Sequence, residues 1–315
     1  MTPTREVGRL RGKQRPADRI FAASTLTAGS LILATLAAVV GFLLLEGMPG
    51  VTTPFEDVPI LQGRSFGEFV LPLLFGTLWA AALALLMALP LALGIALFIS
   101  HYAPRSLAAG LSYIVDLLAA VPSVVFGLWG GNVLAPAIQP IFSWLAANAS
   151  WIPLFEGPAS GTGRTILTAA IVLAVMILPI ITAITREVFL QTPRLYEEAA
   201  LALGATRWEM IRTVVLPFGR PGFISGAMLG LGRALGETLA VAMVLSASGV
   251  ITFNLISSVN PSTIAANVAL KFPEAYGINV NVLIATGLIL FAITLVVNSI
   301  ARVIVNRRKE FSAAN

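Results

Sequence analysis

The feature that most restricts this chain is a set of apolar runs. Six stretches, at roughly 20–45, 70–100, 107–130, 165–185, 222–249 and 280–301, are apolar enough to cross a bilayer. A membrane helix needs about 20 such residues. Only 11% of the 315 residues are charged, and the mean hydropathy is +0.89. A soluble domain, with about 25% charged residues, could not hide that much apolar surface. The expected fold class is therefore an all-α integral membrane protein with six transmembrane helices. The first run is longer than the 7–15 apolar residues of a signal peptide and no convincing cleavage site follows it, so it is expected to remain as a span. Pro90, Pro122 and Pro179 interrupt spans. Neighbouring helices can satisfy the carbonyls that such prolines leave free.

The basic residues set the expected orientation. Most of them fall on one side if the N-terminus is cytoplasmic: Arg5, Arg9, Arg11, Lys13, Arg15 and Arg19; Arg105; Arg186, Arg194, Arg207, Arg212 and Arg220; and Arg302, Arg307, Arg308 and Lys309. Arg64, Arg164 and Lys271 fall on the other side. The positive-inside rule then places both termini in the cytoplasm. The expected organisation is a basic tail (1–19), a six-span membrane domain (20–305) and a short C-terminal tail (306–315). This asymmetry also accounts for most of the net charge of +5, so no nucleic acid partner is implied. There is no cysteine and His101 is the single histidine, which excludes disulfides, thiolate chemistry and a multi-histidine metal site.

Two glycine-rich stretches imitate nucleotide loops. Counted from Gly157, GPASGTGRT (157–165) has Thr162 where a phosphate loop needs its second glycine, and the stretch holds Arg164 but no lysine. GLGRAL (230–235) ends on Leu235 where the third glycine of a dinucleotide loop belongs, and no strand precedes it. Neither is expected to bind a nucleotide. The glycines at 222, 226 and 230, and at 232 and 236, instead recur every four residues, the spacing that lets membrane helices pack closely. Trp144 and Trp151 in the turn-rich outer segment 131–164 read as interface anchors. Segment 250–279 is too polar to span, with room for a short helix near 262–270.

The connection between the fourth and fifth spans, about 186–221, reads as a helix–turn–helix. Thr192-Pro193 offers a hydroxyl cap and a proline at the first helical position. Glu197 and Glu198 suit the early turns, and Gly204 can end the helix in a left-handed conformation. Thr206-Arg207-Trp208-Glu209 is a capping box for a second helix, and Leu216-Pro217 with Pro221 should break the run before the membrane. Within it, EAALALGATRWEMIRTVVLP (198–217) resembles the EAA loop of ABC importer permeases, E-A-A-x3-G-x9-I-x-L-P. Glu198, Ala199, Ala200, Gly204, Leu216 and Pro217 match, with Val214 in place of the usual isoleucine. LLAAVPSVVFGLWG (117–130) and GLGRALGETLAVAM (230–243) are similar to segments of the PstC family of phosphate importer permeases, over roughly 20–310 of the chain.

The resemblance implies a type I ABC importer permease architecture and a transport rather than enzymatic role, in a bacterial plasma membrane. It implies that Glu197, Glu198, Ala199, Ala200 and Gly204 lie in the loop that docks on an ATPase dimer. It implies a homologous second permease and an extracytoplasmic phosphate-binding protein as further partners. No cofactor is expected in this chain; ATP and Mg belong to the ATPase. A permease for another oxyanion (sulfate, molybdate or phosphonate), an ion-coupled secondary transporter and a non-transporting scaffold remain open alternatives.

Buried charges mark the expected pathway. Counted from Gly222, Arg233 and Glu237 lie about 16 and 22 Å along a helix axis, near mid-bilayer. At i, i+4 they would share a face and could pair. A guanidinium suits phosphate oxygens, and Glu237 could neutralise it when no anion is bound; a purely structural pair is the alternative. Asp116 in the third span is expected as a second buried acid, either a helix–helix contact or a pathway group. Ser123 and Thr238 are candidate hydroxyl donors.

Overall fold

The structure is a computed structural model that describes the backbone of residues 16–313 and the side chains of residues 18–303. Most of the basic tail and all of the C-terminal tail lie outside the described side chains. Every regular element among the described residues is helical. In chain order these are α1 (Pro16–Thr52), α2 (Phe66–Leu97), α3 (Arg105–Ala120), α4 (Ser123–Trp129), α5 (Ala135–Asn148), α6 (Ile166–Leu190), α7 (Arg194–Ala202), α8 (Arg207–Met210), α9 (Leu216–Gly236), α10 (Leu239–Val244), α11 (Ile264–Lys271) and α12 (Ile278–Ala313). Six continuous helical runs are long and apolar enough to span: Asp18–Thr52, Phe66–Tyr102, Ser123–Asn148, Ile166–Leu190, Arg207–Gly236 and Ile278–Val303.

Two spans differ from expectation. The third is not 107–130. Val121 is extended (φ −64°, ψ 130°) ahead of Pro122, because a residue before proline is pushed out of the helical region. The run therefore splits into α3 and α4, and α4 continues through a wide turn at Gly130–Leu134 into α5. The fifth span is Arg207–Gly236 rather than 222–249. Pro217 and Pro221 do not break it, because a π-turn at Ile211–Val215 joins α8 to α9 and shifts the hydrogen-bond register where Pro217 has no N–H to give.

α6 is the hub, buried over most of its length. α2 lies on it through Ala80, Ala84, Ala88, Ala92 and Ala96, each no more than 1% exposed. This stripe of small side chains at four-residue spacing lets the two backbones approach. α9 crosses the same hub by its glycines. A Cβ at Gly219 or Gly222 would overlap Phe189 or Val188, and one at Gly230 would come within 2.8 Å of Ile181. Gly232 and Gly236 do not share this role, since a Cβ there would meet nothing within 4 Å. α1 packs on α12, where a Cβ at Gly50 would press on the Val282 backbone.

After α10 the chain turns back into the bundle. Asn260, fully buried, accepts from Ile166 N–H at 3.0 Å and donates to the Ser246 and Ser257 carbonyls at 3.1 and 3.0 Å. Thr77 Oγ1 accepts from Ile264 N–H at 2.9 Å. These bonds satisfy a backbone that a helix would otherwise satisfy internally. The short helix expected near 262–270 is α11.

Candidate functional site

The fifth span ends at Gly236, inside the segment expected to be continuous. Glu237 is extended (φ −68°, ψ 127°), and α10 begins two residues later. Arg233 and Glu237 are therefore not one turn apart on a shared helical face, and no ion pair joins them. Glu237 is buried, 9% exposed, and its Oε1 accepts from Ala240 N–H at 3.1 Å. It caps the first turn of α10, where a negative charge also meets the positive end of the helix dipole. Arg233 is half-buried in the last turn of α9 and, among the described residues, makes no hydrogen bond or ion pair. A cation there is favoured by the exposed carbonyls of the helix end. Thr238 Oγ1 donates to the Gly236 carbonyl at 3.1 Å and so belongs to the break itself.

The second break, at Pro122, lies at the same level. A Cβ at Gly127 would sit 2.9 Å from Ala240 Cα, and one at Gly130 would sit 2.9 Å from Val244 Cγ2. α4 and α10 thus run side by side in the same direction, so Ser123 and Glu237, each one turn back from the first contact, begin their helices together. Asp116 is not a buried acid. Its side chain is 55% exposed on α3, and its Oδ1 lies 3.7 Å from Arg186 Nη2 on α6. The α3 helix ends before the span proper, which leaves Asp116 on the outer surface of the bundle.

The connection between α6 and α9 forms the expected two short helices. Thr206 and Glu209 make the full capping box of α8, and Gly204 is left-handed at φ +88°. The cap of α7 differs. Pro193, not Thr192, occupies the cap position, and Thr192 Oγ1 is buried without a partner. One residue of frame shift puts the hydroxyl out of reach of the first-turn N–H groups. Glu197 turns inward: its Oε1 lies 3.5 Å from Nε2 of His101, whose Nδ1 is 2.7 Å from Ser100 Oγ. Ala200 packs on the apolar cluster of Leu97, Phe189 and Met210. Glu198, Ala199 and Gly204 are exposed, as are Leu195, Tyr196 and Leu203, the last 90% exposed.

Sequence reading missed His101 as a partner of Glu197, because nothing local links residues 96 positions apart. It also missed Arg186, which was counted only as a topology marker. Its guanidinium Nη1 is buried with no partner.

Comparison with known proteins places this arrangement. Residues 88–310 match the family described as "Binding-protein-dependent transport system inner membrane component". A protein of Mycobacterium tuberculosis named phosphate transport system permease protein PstC 2 is 44% identical over 302 residues, 92% of each chain. One of Mycobacterium leprae named phosphate transport system permease protein PstC is 46% identical, over 84% of this chain and 85% of the relative. Among solved structures, a bacterial ABC transporter involved in the import of alginate superposes with a TM-score of 0.56 at 18% identity, over 92% of this chain and 99% of that one. The inward-facing MetNI methionine ABC transporter gives 0.52, over 75% of this chain. The broken fifth span and the capped loop between α6 and α9 thus sit in a multi-pass inner membrane protein, and the chain belongs to the family of binding-protein-dependent transport system inner membrane components.

Proposed function

We propose that this chain is a permease subunit of an ATP-driven importer of inorganic phosphate. Support for the substrate comes from relatives named for phosphate transport, alike over 92% of both chains. The observation that carries the pathway role is Arg233: a half-buried guanidinium at the broken end of a span, uncommitted to any group among the described residues. Such a group can offer a fork of donors to a phosphate oxyanion. Glu237 is held by the α10 backbone close by in sequence, and returns the empty site towards neutrality without quenching Arg233 directly. Ser123 and Thr238 stand at the starts of the two paired short helices. Asp116, through Arg186, is better suited to holding α3 on α6 than to touching substrate.

The basic asymmetry supports cytoplasmic termini, with α7 on the cytoplasmic face. Its outward Leu195, Tyr196 and Leu203 suit a groove on an ATPase subunit, with Glu198, Ala199 and Gly204 at the same contact. ATP and Mg would act there and not in this chain. A homologous second permease would cover the open glycine face of α9, and an extracytoplasmic phosphate-binding protein would deliver substrate. No bond of phosphate is made or broken; the spans alternate between two open states.

The test is phosphate uptake by the assembled complex in proteoliposomes, with and without ATP. Arg233→Gln should lower uptake about 10- to 100-fold, the range for losing a charge-assisted hydrogen bond of about 1.5–3 kcal/mol. Normal uptake by well-assembled Arg233→Gln and Glu237→Gln complexes would reject the pathway role. ATP-independent uptake by the chain alone would reject the importer itself.

A further inference from the structure

A cleft of about 330 Å³ opens at the start of α2. Arg64, Phe69, Ser248, Ser262, Asn267 and Lys271 contribute to its wall. It lies at the opposite end of the molecule from α7. His101, just past the other end of α2, touches α7, and a helix of the length of α2 separates the two ends by about 48 Å. The cleft is thus extracytoplasmic if α7 is cytoplasmic.

Its chemistry is one-sided. Arg64 and Lys271 both line it, and no aspartate or glutamate does. Glu68, beside Phe69 in the chain, does not line the cleft; it is held in the capping box by Ser65 N–H and Oγ at 2.8 and 3.0 Å, and the charge of Arg64 also acts on its carboxylate. Glu274 lines an adjoining groove with Lys271. Lys271 Nζ sits 4.9 Å from the centre of the Phe69 ring. Burial first, and then the charge of Arg64, holds the Lys271 amine below the ordinary lysine range. Two cations that disfavour each other in a half-closed space are stabilised by an anion placed between them. Asn267 is 9% exposed, and its Oδ1 has no partner. An amide carries N–H donors beside that oxygen, and a turn about its last torsion presents them to an anion. The wall at Ala247–Gly249 begins three residues after α10 ends, so the cleft is continuous in the chain with the broken span.

We propose that this cleft is a second anion site, which holds a free phosphate oxyanion on Arg64 and Lys271, with Asn267 as a further donor, before the anion reaches the broken fifth span. The proposal rests on the importer reading above. The ligand chemistry is a phosphate oxyanion, and a free phosphate and an anionic lipid headgroup both carry it. The continuity with α10 favours the free anion.

The test uses the full chain in phosphatidylcholine nanodiscs, labelled with pyridoxal phosphate and trapped with borohydride. Lys13 and Lys309 serve as references for the yield at Lys271. Lys271 should take up pyridoxal phosphate about tenfold more than uncharged pyridoxal, the ratio for one charge-assisted hydrogen bond. Inorganic phosphate should protect it where chloride at equal ionic strength does not, and Arg64→Gln should weaken both effects. Equal labelling by the two reagents, or no protection of the wild-type chain by phosphate, overturns the proposal. So does protection that requires phosphatidylglycerol in the discs and is indifferent to added phosphate. ATP-driven phosphate uptake by the wild-type complex is measured in parallel. Intact uptake with unprotected Lys271 removes only the second site; protected Lys271 with no uptake upholds the site and removes the importer reading.

Discussion

Glu237 performs a structural task that its charge alone does not reveal. Its Oε1 holds Ala240 N–H at 3.1 Å at a break that would otherwise leave a buried donor open. A glutamine can accept the same bond through its amide oxygen, and a leucine cannot. Glu237→Leu should therefore lose about 1 kcal/mol of stability, the usual worth of a cap, seen as a lower thermal midpoint. Glu237→Gln should keep that midpoint, so any change in its phosphate uptake isolates the charge. The sequence made Arg233 and Glu237 conspicuous, as ionisable residues in an apolar run must be. It did not reveal how they relate, because a spacing argument presumes a continuous helix. The signs of a break were there in Gly236, which ends helices, and in Glu237-Thr238, which suit helix starts. Lys271 makes a second residue-scale prediction. Its folded-state amine titrates below the unfolded one, so its protonated form disfavours folding. Relative to Lys271→Met, the wild type should gain stability as pH rises towards the ordinary lysine value of 10.5. Scanning calorimetry across that window checks the sign; a difference that does not change with pH would refute it.

At the scale of elements, close approach of backbones decides the packing. Ala88 lies at the middle of the α2 stripe, fully buried against the hub. Ala88→Leu adds a branched chain where there is no space, and overpacking of this kind costs about 1–3 kcal/mol. Its thermal midpoint and the yield of assembled complex should both fall. Gly94→Ala is the comparison: the added methyl meets nothing within 4 Å. It should leave the packing intact, since alanine is also the better helix former. If the two variants behave alike, the stripe is not what holds α2. Apolar length and composition made the existence of all six spans readable, and glycine spacing identified the α9 contact. The ends of the third and fifth spans were not readable. Pro122 and Pro217 carry the same local signal, yet one splits a helix and the other is absorbed by a π-turn. Which outcome occurs depends on whether a neighbouring turn can shift its register, and that is settled by packing.

Across the whole molecule, α7 is held on one face and open on the other. His101 and Glu197, with side chains 9% and 22% exposed, join it to the end of α2. Ala200 rests on the cluster at the ends of α2 and α6. Leu195 and Tyr196 on α7, and Leu203 just past its end, stay exposed, which is how a lever would be built between a membrane bundle and a moving partner. The two faces should fail differently. Leu203→Glu places a charge at a residue 90% exposed in the isolated chain, so the fold should persist while the proposed ATPase partner no longer co-purifies. Glu197→Ala leaves the outer face unchanged and cuts the tie to α2. The ATPase should still bind and hydrolyse ATP, while the phosphate carried per ATP falls severalfold. Both quantities are measured on the same proteoliposomes. Equal loss of hydrolysis and uptake in Glu197→Ala would mean that the tie only keeps α7 folded, and circular dichroism with co-purification would then show the loss. Unchanged coupling would mean that the apolar contact of Ala200 carries the motion by itself.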